Sequence, residues 1–280
     1  MKRDTLRHLK GDAPLRVKSD VPLSVIVPVR DGGARLEQCL DALLASDFEP
    51  FELIVVDDGS TDGGASAAAC CARGVEVVAL ARNSGPAAAR NRGAERGRGS
   101  VLLFVDADVV VRPDTLARVA ALFTERPEVA AVFGSYDDAP AARNFVSQYK
   151  NLQHHFVHQH ASERAETFWA GCGAVRRAAF EAVGGFDERR YTKPSVEDIE
   201  LGRRLRRAGF VIALDKGLQV KHLKRWTLPS LLRADIFDRA LPWSRLILRD
   251  GGGGMINDLN LRVRERACAA LVGLAFVLLI

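Results

Sequence analysis

Two aspartates one residue apart, Asp106 and Asp108, close the apolar run Val101-Leu-Leu-Phe-Val105. In an extended segment, residues i and i+2 point to the same side. Both carboxylates would therefore face one space and repel each other unless a cation lies between them. A hard divalent ion, Mn²⁺ or Mg²⁺, takes oxygen ligands and bridges to a diphosphate. Alone, the pair would better suit a solvated acidic turn. Its place at the end of a buried strand favours the metal site. A second acidic pair, Asp57-Asp58, ends another apolar run and is followed by Gly59-Ser60. A carboxylate there can accept from a base imide or from ribose hydroxyls, although Asp and Gly also make ordinary turns.

Further along, Ser195-Val-Glu197-Asp198 precedes the amphipathic positions Ile199, Leu201 and Leu205. It reads as a capping box with Ser195 as cap and Asp198 as the third helical residue, or as a helix start that presents Asp198 as a general base. A helix N-terminus lowers a carboxyl pKa, so the second role requires partial burial of Asp198. His222, in Val220-Lys-His-Leu-Lys-Arg225, is a candidate third metal ligand or diphosphate contact. His154, His155, His158 and His160 have no acidic partner spaced to complete a zinc site and are expected on a helix surface. Asn83-Ser-Gly85-Pro86 and Arg90-Asn91 surround a helix start, where backbone N–H groups and Arg90 can meet phosphate or base.

These residues need elements to hold them. Strands are expected over 23–28, 51–56, 75–80 and 101–105, with helices over 36–44, 64–71 and 86–96 between them. This β-α alternation with short connections predicts an α/β fold, a mostly parallel sheet with helices on both faces. Ligands bind outside the carboxyl ends of such strands, where both acidic pairs fall. In the second half, helices are expected over 113–124, 141–160 and 195–208 and strands over 129–133 and 210–214. Residues 168–175 read as a glycine-broken strand pair. Residues 228–249 mix Leu, Ile and Trp with Arg in a helical pattern. No G-x-G-x-x-G follows the first strand and no G-x-x-x-x-G-K-[ST] occurs, which disfavours a dinucleotide dehydrogenase and a P-loop ATPase.

Composition sets the class. The 280 residues are 48% hydrophobic and 27% charged, as in a folded globular chain, with a net charge of +5. That mild excess suits phosphate-bearing substrates or an anionic membrane surface, and no motif argues for nucleic acid as a partner. The five cysteines match neither a disulfide framework nor a zinc site, which implies a reducing compartment. The charged N-terminus has no apolar core of a signal peptide. Residues 267–280 carry no charge. A spanning helix needs about 20 residues, so this run is expected to begin a membrane segment, the alternative being a short helix docked on the body.

Taken in order, Val25-Ile-Val-Pro28, Ile54-Val-Val-Asp57-Asp58-Gly-Ser-Thr-Asp62, Asn83-x-Gly85, Ala89-Arg-Asn91, Phe104-x-Asp106-x-Asp108, Gly184-Gly-Phe186-Asp187-Glu188 and Glu197-Asp198 resemble the family 2 glycosyltransferases, inverting enzymes of the GT-A fold. The resemblance covers about residues 22–225. It implies that Pro28, Val29 and Asp31, with Asp57 or Asp58, Asn83 and Arg90, hold the donor nucleotide. Asp106 and Asp108 would hold the ribose and, with His222, Mn²⁺ or Mg²⁺ on the donor diphosphate, and Ala107 between them would join the donor contacts. Gly171, Gly173 and Glu197 would shape the acceptor and sugar pocket, and Asp198 would deprotonate the acceptor hydroxyl. The family's usual Pro-x-Tyr-Asn-Glu is here Pro28-Val-Arg-Asp31-Gly32, and of the processive Gln-x-x-Arg-Trp signature only Arg225-Trp226 remains. The expected donor is a nucleotide-diphosphate sugar, UDP-linked by preference. The expected acceptor is a glycan or lipid-linked hydroxyl in envelope or lipid-linked glycan synthesis, at the cytoplasmic side of the cell membrane. A nucleotide-sugar-forming nucleotidyltransferase and an inactive glycosyltransferase-like binding protein are the alternatives. The expected organisation is a polar lead-in over 1–20 and a GT-A domain over 21–226, with a nucleotide half (21–110) and an acceptor half (111–226). An interfacial helix and glycine hinge follow over 227–254, then a C-terminal helix over 255–280.

Overall fold

A computed structural model describes residues 17–62 and 73–249, together with 259, 267, 268 and 271. The helix expected over 64–71 and most of 255–280 lie outside these residues. Among the described residues, the strands are β1 (Val17–Val29), β2 (Phe48–Asp57), β3 (Glu76–Ala79), β4 (Val101–Val105), β5 (Val109–Val110), β6 (Val129–Tyr136), β7 (Arg164–Ala165), β8 (Cys172–Arg176) and β9 (Val211–His222). The helices are α1 (Gly33–Leu44), α2 (Pro86–Arg96), α3 (Thr115–Glu125), α4 (Phe145–Gln159), α5 (Arg177–Ala182), α6 (Glu197–Arg207), α7 (Leu228–Arg233) and α8 (Leu241–Arg249). A π-helical segment, Ala234–Ala240, joins the last two.

The strands form one sheet in the order β3-β2-β1-β4-β8-β6-β9-β5, with β7 on β9. Strands β3, β2, β1 and β4 are mutually parallel, as are β6 and β9. Strand β8 runs antiparallel between β4 and β6. The sheet is mostly parallel, as expected, with β8 inserted in the opposite direction and the two-residue β5 and β7 antiparallel to β9. The expected strand pair over 168–175 is a single strand entered through a turn. Apolar periodicity reports which face a residue occupies but carries no strand direction, so this reversal was not visible in the pattern. It matters for the site, because it brings the residues before Cys172 to the carboxyl edge beside Asp106, where the Asp106 N–H donates to Gly171 O at 3.1 Å.

Side chains of the central strands alternate between two cores. Val25, Val27, Leu103 and Val105 meet Leu36, Leu40 and Leu43 of α1 and Leu116, Val119 and Phe123 of α3. Ile26, Ile54, Leu102 and Phe104 meet Ala87 and Ala89 of α2, Phe180 of α5 and Leu201 and Leu205 of α6. Burial on both faces explains the near-continuous apolar strands. Helix α2 opens at Pro86, whose fixed φ suits a first helical position. It lies close on the sheet because a Cβ at Gly93 would fall 2.3 Å from Ile26 Cγ2. The strand expected over 210–214 continues to His222, and β5 folds back on its end in antiparallel register. Among the described residues, no helix is long and apolar enough to cross a membrane.

Candidate active site

The carboxyl ends of β1 and β4, the start of α6 and the end of β9 surround a cavity of about 790 Å³. Arg90 is its electrostatic centre. From the first turns of α2 its guanidinium donates to Asp106 Oδ1 and to Glu197 Oε1, each at 2.8 Å, and its face lies 5.5 Å from the centroid of the Phe186 ring. Arg90 and Glu197 are buried. Burial raises the Asp106 carboxyl, with Arg90 opposing and Asp108 reinforcing the shift. One oxygen of Asp106 is thus committed to Arg90, which the sequence did not reveal.

Asp108 faces a different partner. The β5–β9 pairing sets Val109 opposite His222, and Leu223 N–H donates to Asp108 O at 2.8 Å. His222 Nε2 lies 3.6 Å from Asp108 Oδ2. Burial pushes the Asp108 carboxyl up, but the hydrogen bond and charge of His222, with the charges of Lys224 and Arg35, together leave the group lowered. His222 is fixed by parallel stacking on Tyr136, with centroids 4.2 Å apart and planes at 8°. Among the described residues, no group of three or more His, Cys, Asp or Glu side chains forms a closed metal cage. Asp108 and His222 instead form an open pair facing the cavity.

Asp198 sits at the start of α6. Its Oδ2 accepts from Ala170 N–H at 3.2 Å and its Oδ1 from Ile199 N–H at 2.8 Å. Desolvation, followed by the adjacent Glu197, raises its carboxyl to about 7, against the opposing charge of Arg90. This is the partial burial that general-base work near neutrality requires. The capping-box alternative is not formed. Val196 occupies the cap position without a side-chain bond, and Ser195 donates its backbone N–H to Glu197 Oε2 at 2.9 Å.

Pro28, Val29, Asn83 and Ala107 line the cavity, as do Arg90, Asp106, Asp108, Glu197, Asp198 and His222. Asp58 lines it too, but its carboxylate is engaged, accepting Ser84 N–H at 2.6 Å and Gly85 N–H at 2.8 Å. It thereby holds the loop that opens α2. Four expected residues are not on the lining. Asp57 accepts Ser60 N–H at 2.9 Å in a turn. Asp31, at φ 52, accepts from Thr61 N–H at 2.7 Å and is held low by that bond. Gly171 and Gly173 act from behind: a Cβ on Gly171 would lie 2.3 Å from the Trp169 indole, and one on Gly173 2.3 Å from Trp169 O. Both absent side chains leave room for Trp169, which does line the cavity.

Sequence reasoning missed several lining residues. His154 and His158 were expected on a helix surface, but their rings pack on each other in a tilted arrangement with centroids 3.9 Å apart, and His154 packs likewise against Tyr136 and Trp169. His158 Nδ1 donates to Gly134 O at 2.8 Å, and burial lowers its pKa to about 4. Burial likewise drives His154 well down. Lys224 also lines the cavity, its ammonium 4.0 Å from the Trp226 ring centroid. Its position two residues beyond His222 on an extended segment was the available signal.

Residues 24–184 match the family profile described as Glycosyl transferase family 2, more than half of the chain. The match includes Arg90, Asp106 and Asp108 and ends before Asp198 and His222. An uncharacterized glycosyltransferase of Escherichia coli K12, YibD, is 38% identical over 93 residues, 32% of this chain and 27% of that protein. A PGL/p-HBAD biosynthesis glycosyltransferase of Mycobacterium bovis BCG is 37% identical over 115 residues, 40% of this chain and 45% of that one. The matches thus span less than half of these curated relatives. Among solved structures, the Pyrobaculum calidifontis mannosyltransferase PcManGT, in complex with GDP-Man and Mn²⁺, superposes with a TM-score of 0.60 at 21% identity, over 82% of this chain and 63% of that one. S. aureus TarS 1–349 with UDP-GlcNAc gives 0.58 at 21% identity, over 74% and 59%. Such likeness shows a shared GT-A-type fold, and the profile match shows the lineage: the chain belongs to glycosyl transferase family 2.

Proposed function

We propose that this protein transfers a sugar from a nucleotide-diphosphate sugar to an acceptor hydroxyl, with inversion at the anomeric carbon. The observation that carries the proposal is the convergence of Asp198, with its carboxyl raised to about 7, on the cavity that also holds Asp106, Asp108 and His222. Asp198 takes the acceptor proton, a contribution worth about 10²–10⁴-fold. Its two backbone donors aim the carboxylate, and attack from that side, opposite the leaving diphosphate, inverts configuration.

Asp108 and His222 fit a divalent cation: a carboxylate and an imidazole within 3.6 Å, open on the side where diphosphate oxygens would complete the shell. A nitrogen ligand beside the carboxylate favours Mn²⁺ over Mg²⁺. When bound, the ion neutralises charge on the leaving diphosphate. Asp106, anchored by Arg90, has its second oxygen left for the ribose. Lys224 and Arg35 add positive charge around Asp108. Pro28, Val29 and Asn83 would receive the nucleotide.

Fold neighbours solved with UDP-GlcNAc, UDP or GDP-Man make UDP-sugars and then GDP-mannose the first donors to test. The acceptor in this reading is a lipid-linked or envelope glycan, reached at the cytoplasmic side of the membrane. A thermal-shift panel of nucleotide sugars with and without Mn²⁺ tests the reading. It predicts Mn²⁺-dependent stabilisation by one nucleotide class. The absence of any nucleotide-dependent shift overturns it.

A further inference from the structure

Helix α4 is amphipathic in the reverse sense. Its inner face is polar and bonded to the body of the protein: Asn151 donates to Asp137 O at 2.7 Å, Ser147 Oγ accepts Trp226 N–H at 2.7 Å, and His158 donates to Gly134 O. Ser147, Asn151 and His158 are buried. The outer face is apolar: Phe145, Tyr149, Leu152 and Phe156 recur at helical spacing, and Phe145 is 82% exposed. Large apolar side chains on the outside, opposite buried polar ones, call for an apolar surrounding.

The neighbouring segment repeats the feature. Helix α7 packs on α4, and Lys150 of α4 pairs with Asp235 of the π-helical segment at 2.8 Å. From α7, the π-helical segment and α8, Leu232, Ile236, Phe237, Leu241 and Leu248 are exposed, Phe237 by 62% and Leu248 by 77%. Charge identifies what covers them. Residues 143–160 and 225–249, which leave out the cavity-lining Lys224, together hold seven Lys or Arg against two Asp, a net +5 that equals the total of the chain. The remaining residues are therefore neutral overall. Apolar rows flanked by Arg are the pattern of an interfacial element on anionic lipid. A second copy of the same basic face would be repelled.

We infer that α4 and residues 228–248 form one docking face for an anionic lipid bilayer. The inference deepens the membrane assignment made above and rests on it: the folded body itself carries the lipid contact, without requiring residues 267–280. The same segment lines the active-site cavity through Arg233, Arg239 and Trp243. Docking therefore brings the cavity wall to the bilayer surface, where a lipid-linked acceptor would be held.

The test is co-sedimentation of the full chain with vesicles of phosphatidylcholine alone or mixed with phosphatidylglycerol. Two variants are compared with wild type: Phe145→Ser/Tyr149→Ser/Phe156→Ser and Phe237→Ser/Leu241→Ser/Leu248→Ser. Because the replaced side chains are exposed, melting temperature and nucleotide-dependent thermal shift are expected to stay at wild-type values. That second readout separates failure of this inference from failure of the transferase reading. Wild type should prefer the anionic vesicles, more weakly in high salt, and each variant should lose about tenfold or more in partitioning. Wild-type partitioning by both variants would mean that another segment makes the contact and overturns the inference. So would equal binding to the zwitterionic vesicles. So would a dimer that the variants dissociate without any change in lipid binding.

Discussion

Replacing Arg90 with methionine removes one side chain that holds two carboxylates. The Glu197 side chain is 7% exposed and that of Asp106 33% exposed. Breaking a buried pair by deleting one partner costs about 3–5 kcal/mol, because the other charge stays buried and unpaired. The Asp106 pair, a third exposed, adds less. For a chain of this size 1 kcal/mol corresponds to about 2–4 °C, so the midpoint should fall by about 6–20 °C. The same deletion has a second, independent signature. Arg90 opposes the rise of the Asp198 carboxyl. Without it the carboxyl rises further, and the acid limb of kcat/KM moves to higher pH. Arg90→Lys restores the charge but not the two-pronged geometry, and should lie between wild type and Arg90→Met in both readouts. Differential scanning fluorimetry and a pH–rate profile report them. A midpoint within about 2 °C of wild type together with an unmoved acid limb would refute the reasoning.

Three further outcomes follow from the same geometry. Asp108→Ala and His222→Ala should each weaken Mn²⁺-dependent donor binding by at least the roughly 10–100-fold that loss of an outer-shell partner costs a metal site, with little change when Mn²⁺ is omitted; titration calorimetry decides. Gly171→Ala sets a methyl 2.3 Å from the Trp169 indole. The overpacking should cost about 1–3 kcal/mol, shift tryptophan emission and raise the acceptor KM, and an unchanged emission spectrum argues against it. Asp198 is raised in the folded state from its ordinary 3.8 to about 7. Its stabilising proton is thus fully present below pH 4 and is lost as pH rises through 7. Asp198→Asn should therefore melt higher than wild type at pH 8 and equally at pH 4, and a lower midpoint at pH 8 contradicts the raised carboxyl.

The donor side of the site was legible because local signals agreed there. Five apolar residues, 101–105, end at Asp106, and Pro86 marks the first residue of α2, so both elements were read at their observed bounds. The acceptor side was less legible, for three physical reasons. The direction of β8 leaves no trace in residue pattern, so the turn that carries Trp169 to the cavity was read as a strand. The extension of β9 past residue 214 passes through Asp215, Lys216 and Gly217, which look like a loop end in isolation. The histidines of α4 are expected on the surface because no acidic partner completes a metal site with them, whereas this helix turns Ser147, Asn151 and His158 inward and leaves only His160 exposed among the four. The roles of Asp57 and Asp58 show the limit of motif reading. The two look alike in sequence, yet Asp57 closes a turn while Asp58 clamps the start of α2.

The central claim is that Asp198 carries the acceptor proton while Asp108 and His222 serve the donor. Single-turnover transfer by Asp198→Asn, measured alongside calorimetric donor binding with Mn²⁺, tests it most directly. Transfer should fall by about 10²–10⁴-fold with donor affinity essentially at the wild-type value. Transfer at the wild-type rate, or a loss explained entirely by weaker donor binding, would contradict it.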